Sequence, residues 1–226
     1  VAMFGDIPSA KTRTEAEIKL IALLQDKNPE IRAQSLRALA DSKNESNTIQ
    51  LAPLLADESM RVRFFAAILA GKRQMIEYYG PICDLLAEND NRDVYLRHAC
   101  IFALQGMAIE NPNILVGLNS HESPAVRLAA VVALRRMKNP SVTSFIRDED
   151  TKVADEAIRA VYDTDIVGPS PNVAELLDDV HQRKWTPFML RRLVHAAFRN
   201  GTEKDAERLV KVAMDPKFPE ALRNEA

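Results

Sequence analysis

The sequence predicts an all-α fold, a right-handed α-α superhelix of about seven helical-hairpin repeats. The first observation is a recurring phrase, since DKNPEIRAQSLRAL at 26–39 has counterparts beginning at residues 58, 90, 122, 185 and 217 and a weaker copy at 149. The second is a period in the low thirties, which is typical of stacked helical repeats. The third is the helix signature inside the copies, which combines capping residues, a proline near the helix start and apolar residues at helical spacing.

Each hairpin is expected to pair an outer helix with an inner helix, and the inner helices carry the recurring phrase. The predicted outer helices cover residues 15–25, 47–56, 81–88, 113–118, 142–147, 173–182 and 204–214. The predicted inner helices cover residues 29–39, 60–72, 94–107, 125–137, 152–162 and 187–199, with a truncated one after 217. Thr12 or Thr14 is expected to cap the first helix.

The repeats are expected to form one domain over residues 12–226, whose last repeat is cut short. Residues 1–11 have little periodicity and read as a linker or the edge of a preceding element. Residues 163–172, DTDIVGPSPN, contain two prolines and a glycine, so we expect a loop or a kink there. Because the chain starts at Val1 and stops inside a repeat, we expect it to be a piece of a longer protein.

An aliphatic residue followed by arginine marks every strong copy of the phrase. These repeat arginines are Arg32, Arg63, Arg97, Arg127, Arg191 and Arg223. Aspartates recur just before the inner helices, at Asp26, Asp57, Asp90, Asp148 and Asp215. We expect the arginines to be structural and to bond these turns, and a ligand-binding row is the alternative. The weak copy has Ala154 at the arginine position, so its stacking contact should differ.

Composition excludes several classes of partner. With 226 residues, 46% hydrophobic, the chain can bury a substantial core. Its net charge of −2 comes from 30 basic and 32 acidic residues spread through every repeat, so we expect no nucleic-acid partner. The longest apolar runs are far shorter than a membrane-spanning helix requires, and we expect no membrane insertion.

No catalytic or metal-binding constellation stands out. Cys83 and Cys100 fall on the two helices of one hairpin and read as buried free thiols, with a disulfide as the alternative. The four histidines lie in different repeats without metal-ligand spacing: His98, His121, His181 and His195. The chain has no nucleophile elbow and no glycine-rich phosphate loop. We therefore expect no catalytic residue, no metal ligand and no cofactor-binding residue in this segment.

One cluster combines basic and aromatic residues and is the candidate partner-binding site. It consists of Arg183, Lys184, Trp185, Arg191, Arg192 and Arg199. A protein partner or an anionic ligand could bind there. The alternative is that Trp185 packs at the start of the following helix while the charges stay in water.

The hydrophobic-arginine repeat, with aspartate in the turn and proline at the inner helix start, resembles the HEAT family from Thr12 onward. Four phrases, at 93–104, 153–166, 188–215 and 219–226, resemble the HEAT region of large secreted bacterial proteins. In that family a sugar-dehydrogenase-like β-propeller precedes the repeats and a haem-c domain follows them. The resemblance implies an extracytoplasmic or periplasmic spacer between an oxidoreductase and its haem domain. No haem-attachment motif follows Cys83 or Cys100, so no haem residue is transferred.

The sequence therefore predicts a non-catalytic scaffold that contacts a protein partner or neighbouring domains of its own chain. A free-standing HEAT adapter and a HEAT-fold enzyme of the bilin-lyase type are the alternatives. Deoxyhypusine hydroxylase also resembles the array, but it uses several His-Glu pairs as iron ligands, and this chain has only His121-Glu122. HEAT-like DNA glycosylases need a basic groove, which the charge balance does not favour.

Overall fold

The computed structural model describes residues 10–42, 49–164, 166 and 171–226, and these ranges contain thirteen α-helices and no strand. The predicted all-α helical-repeat fold is confirmed. The helices are α1 Ala10–Leu23, α2 Pro29–Asp41, α3 Ala52–Leu55, α4 Met60–Lys72, α5 Tyr79–Asn89, α6 Val94–Met107, α7 Asn113–Val116, α8 Pro124–Arg136, α9 Thr151–Asp163, α10 Pro171–Ala174, α11 Pro187–Asn200, α12 Glu203–Met214 and α13 Glu220–Glu225. Short 3-10 helices cover Ile76–Tyr78, Gly117–Ser120, Pro140–Phe145 and Glu175–Gln182.

The chain divides into two compact units, residues 1–111 (unit 1) and residues 112–226 (unit 2). Within unit 1 the inner helices α2, α4 and α6 pack one against the next. Within unit 2 the inner helices are α8, α9, α11 and α13, and each again packs against its successor. Each unit therefore has its own layer of inner helices.

Unit 1 is held by capped helices and unusually close helix packing. The Asn28 side chain accepts a hydrogen bond from the Glu30 amide at 2.9 Å, and Pro29 follows it at the helix start, as the sequence predicts. Gly71 of α4 and Gly106 of α6 bring the two backbones together, because a Cβ built on Gly106 would lie 2.2 Å from the Gly71 carbonyl oxygen. Any side chain at Gly106 would force these helices apart.

Unit 2 shows the same helix-start chemistry with different capping residues. The Asp150 carboxylate accepts from the amides of Lys152 and Val153, which starts α9. Gly201 ends α11 with a φ of 65°, a left-handed conformation that favours glycine. The end of α11 at Gly201 therefore follows the sequence prediction.

Several outer segments are shorter or more tightly wound than predicted. The described part of 47–56 contains only the four-residue α3, which starts beside Pro53. Residues 140–145 form a 3-10 helix where an α-helix is predicted over 142–147, and most of 173–182 is also 3-10 helix. Segments this short, several of them starting at proline, complete few i to i−4 hydrogen bonds, which favours the tighter helix.

The beginning of α1 also differs from the prediction. This helix starts at Ala10, so Thr12 and Thr14 lie inside it and are not its N-caps. Alanine and lysine are good helix formers, and Ala10 and Lys11 extend the helix backwards. Residues 1–9 of the predicted linker lie outside the described residues, as do 165 and 167–170 of the predicted kink.

Candidate functional site

Two repeat arginines join the turn of their own hairpin to the turn of the next one. Arg32 donates through Nε and Nη2 to the two carboxylate oxygens of Asp57, both at 2.8 Å, and through Nη1 to the Asp26 carbonyl oxygen. Arg127 donates in the same way to Asp148 at 2.8 and 3.0 Å and to the His121 carbonyl oxygen. Burial opposes ionisation of Asp57, but the hydrogen bonds from Arg32 and from the Ser59 amide prevail and lower its pKa. These arginines act as clamps between successive turns.

The remaining repeat arginines depart from this pattern. Arg63 donates to the Asp57 carbonyl oxygen and pairs with Glu88 at 2.9 Å. Arg97 contacts the Asn91 side chain at 3.5 Å, since the longer turn before α6 moves Asp90 into a left-handed conformation, with φ 42°. Asp215 accepts from His181 at 2.6 Å and does not meet a repeat arginine. Arg223 has a buried Nε without a hydrogen-bond partner among the described residues.

Arg183 substitutes for the arginine that the fifth hairpin lacks. Each regular clamp bonds a carbonyl oxygen six residues before the arginine, and counting six back from Ala154 leads to Asp148. Arg183 donates to this Asp148 oxygen at 2.7 Å and to the Arg147 oxygen beside it. A side chain from the following hairpin therefore occupies the position of the missing clamp.

The arginines of the candidate partner-binding cluster are bonded within the chain. Arg191 donates to both oxygens of Glu225, at 3.0 and 2.7 Å, and Arg192 donates to both oxygens of Asp163, at 3.1 and 2.8 Å. Arg199 lies over the Tyr162 ring, 5.3 Å from its centroid. Spacing along α11 puts Arg191, Arg192 and Arg199 on one side of that helix. Partner binding by these arginines stays a prediction.

The other two members of the cluster lie before α11. Trp185 is half-buried and its Nε1 donates to the Val180 carbonyl oxygen at 2.7 Å. Lys184 is exposed. Because Arg183 is bonded to the turn at 147–148, the structure does not gather the six residues into one patch.

A groove that the sequence does not predict lies between α4 and α6 of unit 1, with a volume of about 360 Å³. It is lined by Met60, Arg61, Phe64, Phe65, Asp93, Tyr95 and Leu96. Phe64 and Phe65 contact each other edge to face at 5.0 Å between ring centroids, and the Arg61 guanidinium lies over the Phe65 ring at 5.5 Å. The sequence feature that could have indicated this groove is the Phe64-Phe65 pair. The corresponding residues of the first copy are Ala33 and Gln34, which are not aromatic.

A larger cleft in unit 2, about 510 Å³, is crossed by ion pairs. Arg208, whose side chain is buried, donates to both oxygens of Asp178 and pairs with Asp205 at 2.7 Å. The Arg208 hydrogen bonds lower the pKa of Asp178, and Asp178 in turn raises the pKa of Arg208. The sequence feature that could have indicated this network is the spacing of three residues between Asp205 and Arg208, which puts both side chains on one face of α12.

Both cysteines are buried free thiols. Burial raises the pKa of Cys83 to about 11 and that of Cys100 to about 12. The thiolate is the reactive form, so both side chains stay protonated and unreactive near neutral pH. They pack as small apolar groups in the hairpin of α5 and α6.

Among the described residues there is neither a cluster of metal-ligand side chains nor a helix suited to cross a membrane. No three histidine, cysteine, aspartate or glutamate side chains in 10–42, 49–164, 166 and 171–226 converge where a metal ion could be held. No helix in those ranges has both the length and the apolar composition needed to cross a membrane.

Comparison with protein families matches residues 17–105 to the model of HEAT repeats. The match covers less than half of the chain and lies within unit 1, from the second half of α1 into the last turn of α6. It supports a HEAT-repeat protein, a class of helical repeat that generally mediates protein interactions and is typically non-catalytic. No curated protein matches the chain.

Proposed function

We propose that this chain is a non-catalytic helical-repeat scaffold that holds a protein partner, or a neighbouring domain of its own chain, on its inner helices. One observation carries the proposal. Every aromatic side chain that is strongly exposed in the described residues lies on an inner helix: Tyr95 at 75%, and Phe188 and Phe198 at 73% each. Exposed aromatic side chains are enriched at protein interfaces, where they supply much of the binding energy.

The arrangement of the inner helices supports this proposal. Within each unit these helices form a continuous layer, so a partner lying along the layer contacts several repeats together. Exposed aliphatic side chains extend the apolar surface in unit 1, where Ile31, Met60 and Val94 also lie on inner helices. A surface of this kind is larger than one hairpin could offer.

A finer proposal rests on the resemblance alone. It places this piece outside the cytoplasm, between a dehydrogenase-like propeller and a haem-c domain, with no cofactor of its own. The free-standing adapter and the HEAT-fold enzyme of the bilin-lyase type are the competing proposals. The scaffold proposal holds for both the spacer and the free-standing adapter, and only the enzyme competes with it.

Site-specific photo-crosslinking in the source cells tests the scaffold proposal. The crosslinking amino acid p-benzoylphenylalanine replaces Tyr95 or Phe188, and as the matched control it replaces Val210, which is exposed on the outer helix α12. We expect a discrete protein adduct, or an intramolecular crosslink to another domain, from the inner positions and none from Val210. Equal crosslinking at all three positions, or none at the inner ones, would contradict the proposal.

The same gel band tests the finer proposal. A band much larger than 25.3 kDa that stains for covalent haem and lies in the periplasmic or envelope fraction is the expected result. A haem-free cytosolic band near 25.3 kDa would contradict the spacer proposal and favour the adapter.

A further inference from the structure

We propose that the groove between α4 and α6 binds a short acidic peptide segment that carries one apolar anchor residue. The inference rests on the proposed scaffold function and adds the place and the chemistry of the contact. The segment belongs to the protein partner. Its anchor enters the apolar part of the groove, and its carboxylates lie against Arg92 at the end of the groove.

The apolar part is a preformed site for one large side chain. Its walls are the rings of Phe64, Phe65 and Tyr95 and the side chains of Met60 and Leu96. Its volume of about 360 Å³ exceeds that of a single phenylalanine or leucine side chain. The edge-to-face contact of Phe64 with Phe65 holds these two rings in place, so little rearrangement is needed to accept an anchor.

A second, more polar cavity of about 420 Å³ continues the groove toward the turns. It shares Met60, Asp93 and Leu96 with the apolar part, which makes the two cavities one groove. The residues that line only this second part are Arg63, Leu85, Glu88, Asn89 and Arg92. An extended or helical segment whose anchor is in the first part would therefore continue into the second.

The charges in the second part favour an acidic segment. Glu88 is paired with Arg63 at 2.9 Å, and Asp93 uses its Oδ1 to cap α6 through the amides of Tyr95 and Leu96. Arg92 donates only to the carbonyl oxygens of Glu88 and Asn89, and no carboxylate of the described residues lies within ion-pair distance of it. A partner carboxylate would supply the missing counter-charge.

The helix dipoles at this end of the groove also favour an acidic segment. Both α4 and α6 begin at this end of the groove, and the positive ends of helix dipoles attract negative charge. The side chain of Ser59, at the N-cap of α4, makes no capping hydrogen bond. A carboxylate from the segment could accept hydrogen bonds from the first amides of α4.

Fluorescence anisotropy with the full chain and labelled synthetic peptides of about twelve residues tests the proposal. The probe has a central phenylalanine and three glutamates on one side of it. Two matched peptides replace the glutamates by lysine or the phenylalanine by serine. We expect the acidic anchored peptide to bind at least about tenfold more tightly than either of them.

Variants of the chain locate the binding. Tyr95→Ser and Arg92→Glu should each weaken the acidic peptide about tenfold, and Arg92→Glu should improve the lysine peptide. Ile109→Ser removes an exposed apolar side chain of unit 1 outside the groove and should leave both affinities unchanged. Both groove residues are exposed, and circular dichroism checks that all variants fold.

Three results would overturn the inference: equal binding of the acidic and lysine peptides, no binding of the acidic peptide, or unchanged binding by Tyr95→Ser. A concentration-dependent dimer that Tyr95→Ser abolishes would also overturn it, because the groove would then hold a second copy. If the peptides fail while photo-crosslinking at Tyr95 still yields a partner adduct, the scaffold function stands without this segment chemistry. If both fail, the scaffold function falls as well.

Discussion

The inner helices of the two units expose different chemistry. In unit 1 the centre of the layer is an apolar groove around Phe64, Phe65 and Tyr95. In unit 2 ion pairs connect each inner helix to the next: Arg135 with Glu156, Arg192 with Asp163, and Arg191 with Glu225. Unit 1 also has ion pairs between α2 and α4, Arg61 with Glu30 and Lys72 with Asp41, so the difference between the units is the apolar groove.

The packing of the helices beneath these surfaces also differs between the two units. Unit 1 brings α4 and α6 into backbone contact through Gly71 and Gly106. Unit 2 has its most buried turn clamp in Arg127 with Asp148, whose side chains are each 4% exposed. Unit 1 also contains largely buried charge, in Arg32 with Asp57 and in Arg73 with Glu17, so its close backbone contact adds to ion pairing and does not replace it. Close backbone contact and buried charge should each fail under their own kind of substitution.

The largest expected effect is in unit 2, from Arg127→Met. Removing the guanidinium leaves the buried Asp148 carboxylate without its partner, which should cost about 3–5 kcal/mol of unfolding free energy. The single tryptophan, Trp185, lies in unit 2, so its fluorescence during urea unfolding reports on this unit. The control is Arg136→Met, an exposed arginine of the same helix.

A double variant separates a lost partner from a general packing defect. Arg127→Met combined with Asp148→Leu should recover most of the loss, since no unpaired charge is then buried. If the single variant unfolds at the wild-type urea concentration, the clamp contributes little and unit 2 is not held by buried charge.

The next largest effect is expected in unit 1, from Gly106→Ala. The new methyl group would meet the backbone of Gly71, which cannot move as a side chain would, so we expect a loss of about 3 kcal/mol. Hydrogen exchange of the α4 and α6 amides measures it directly. Gly80→Ala is the matched control, because a Cβ there meets nothing within 4 Å.

That control should have a much smaller effect. Gly80 is in the first turn of α5 and precedes Pro81, so the gain in helix propensity is offset by the proline ring, and Gly80→Ala should change the stability of unit 1 by less than about 1 kcal/mol. Equal exchange in the Gly106→Ala and Gly80→Ala variants would show that the contact between α4 and α6 is not limiting.

The fold was predictable because its signals are local and repeated. Asn28 and Pro29 mark a helix start within three residues of sequence, and the helical spacing of apolar residues marks the buried side. The pairing of Arg32 with Asp57 also follows from the period, since both residues recur at fixed places. The same prediction is wrong at Asp90, where the turn is one residue longer and Arg97 bonds Asn91 instead.

The groove could not be predicted from the same signals. Helical spacing shows that Phe64 and Phe65 are apolar positions, but how far the next helix covers them depends on the packing of α4 against α6. The arginine cluster was visible as a run of charges, whereas its acidic partners Asp163 and Glu225 come from other helices. Contacts between helices that are far apart in sequence decide which residues stay available.

The smallest expected effect, from Asp155→Asn, tests the ion-pair layer of unit 2. Burial raises the pKa of Asp155, Arg192 opposes this, and Asp155 Oδ1 is buried without a hydrogen-bond partner among the described residues. A raised pKa means that the charged carboxylate destabilises the fold above that pKa, and this cost disappears below the unfolded value of about 3.9. Asp155→Asn should therefore stabilise unit 2 at pH 7 by less than about 1 kcal/mol, and the gain in the urea midpoint, followed by Trp185 fluorescence, should shrink as the pH falls and vanish below about pH 4. Asp163→Asn, the matched control, removes a carboxylate that is paired with Arg192 and should destabilise the unit at pH 7. A loss of stability in both variants would mean that Arg192 is shared by two carboxylates, and the layer would then be a wider charge network than its close pairs indicate.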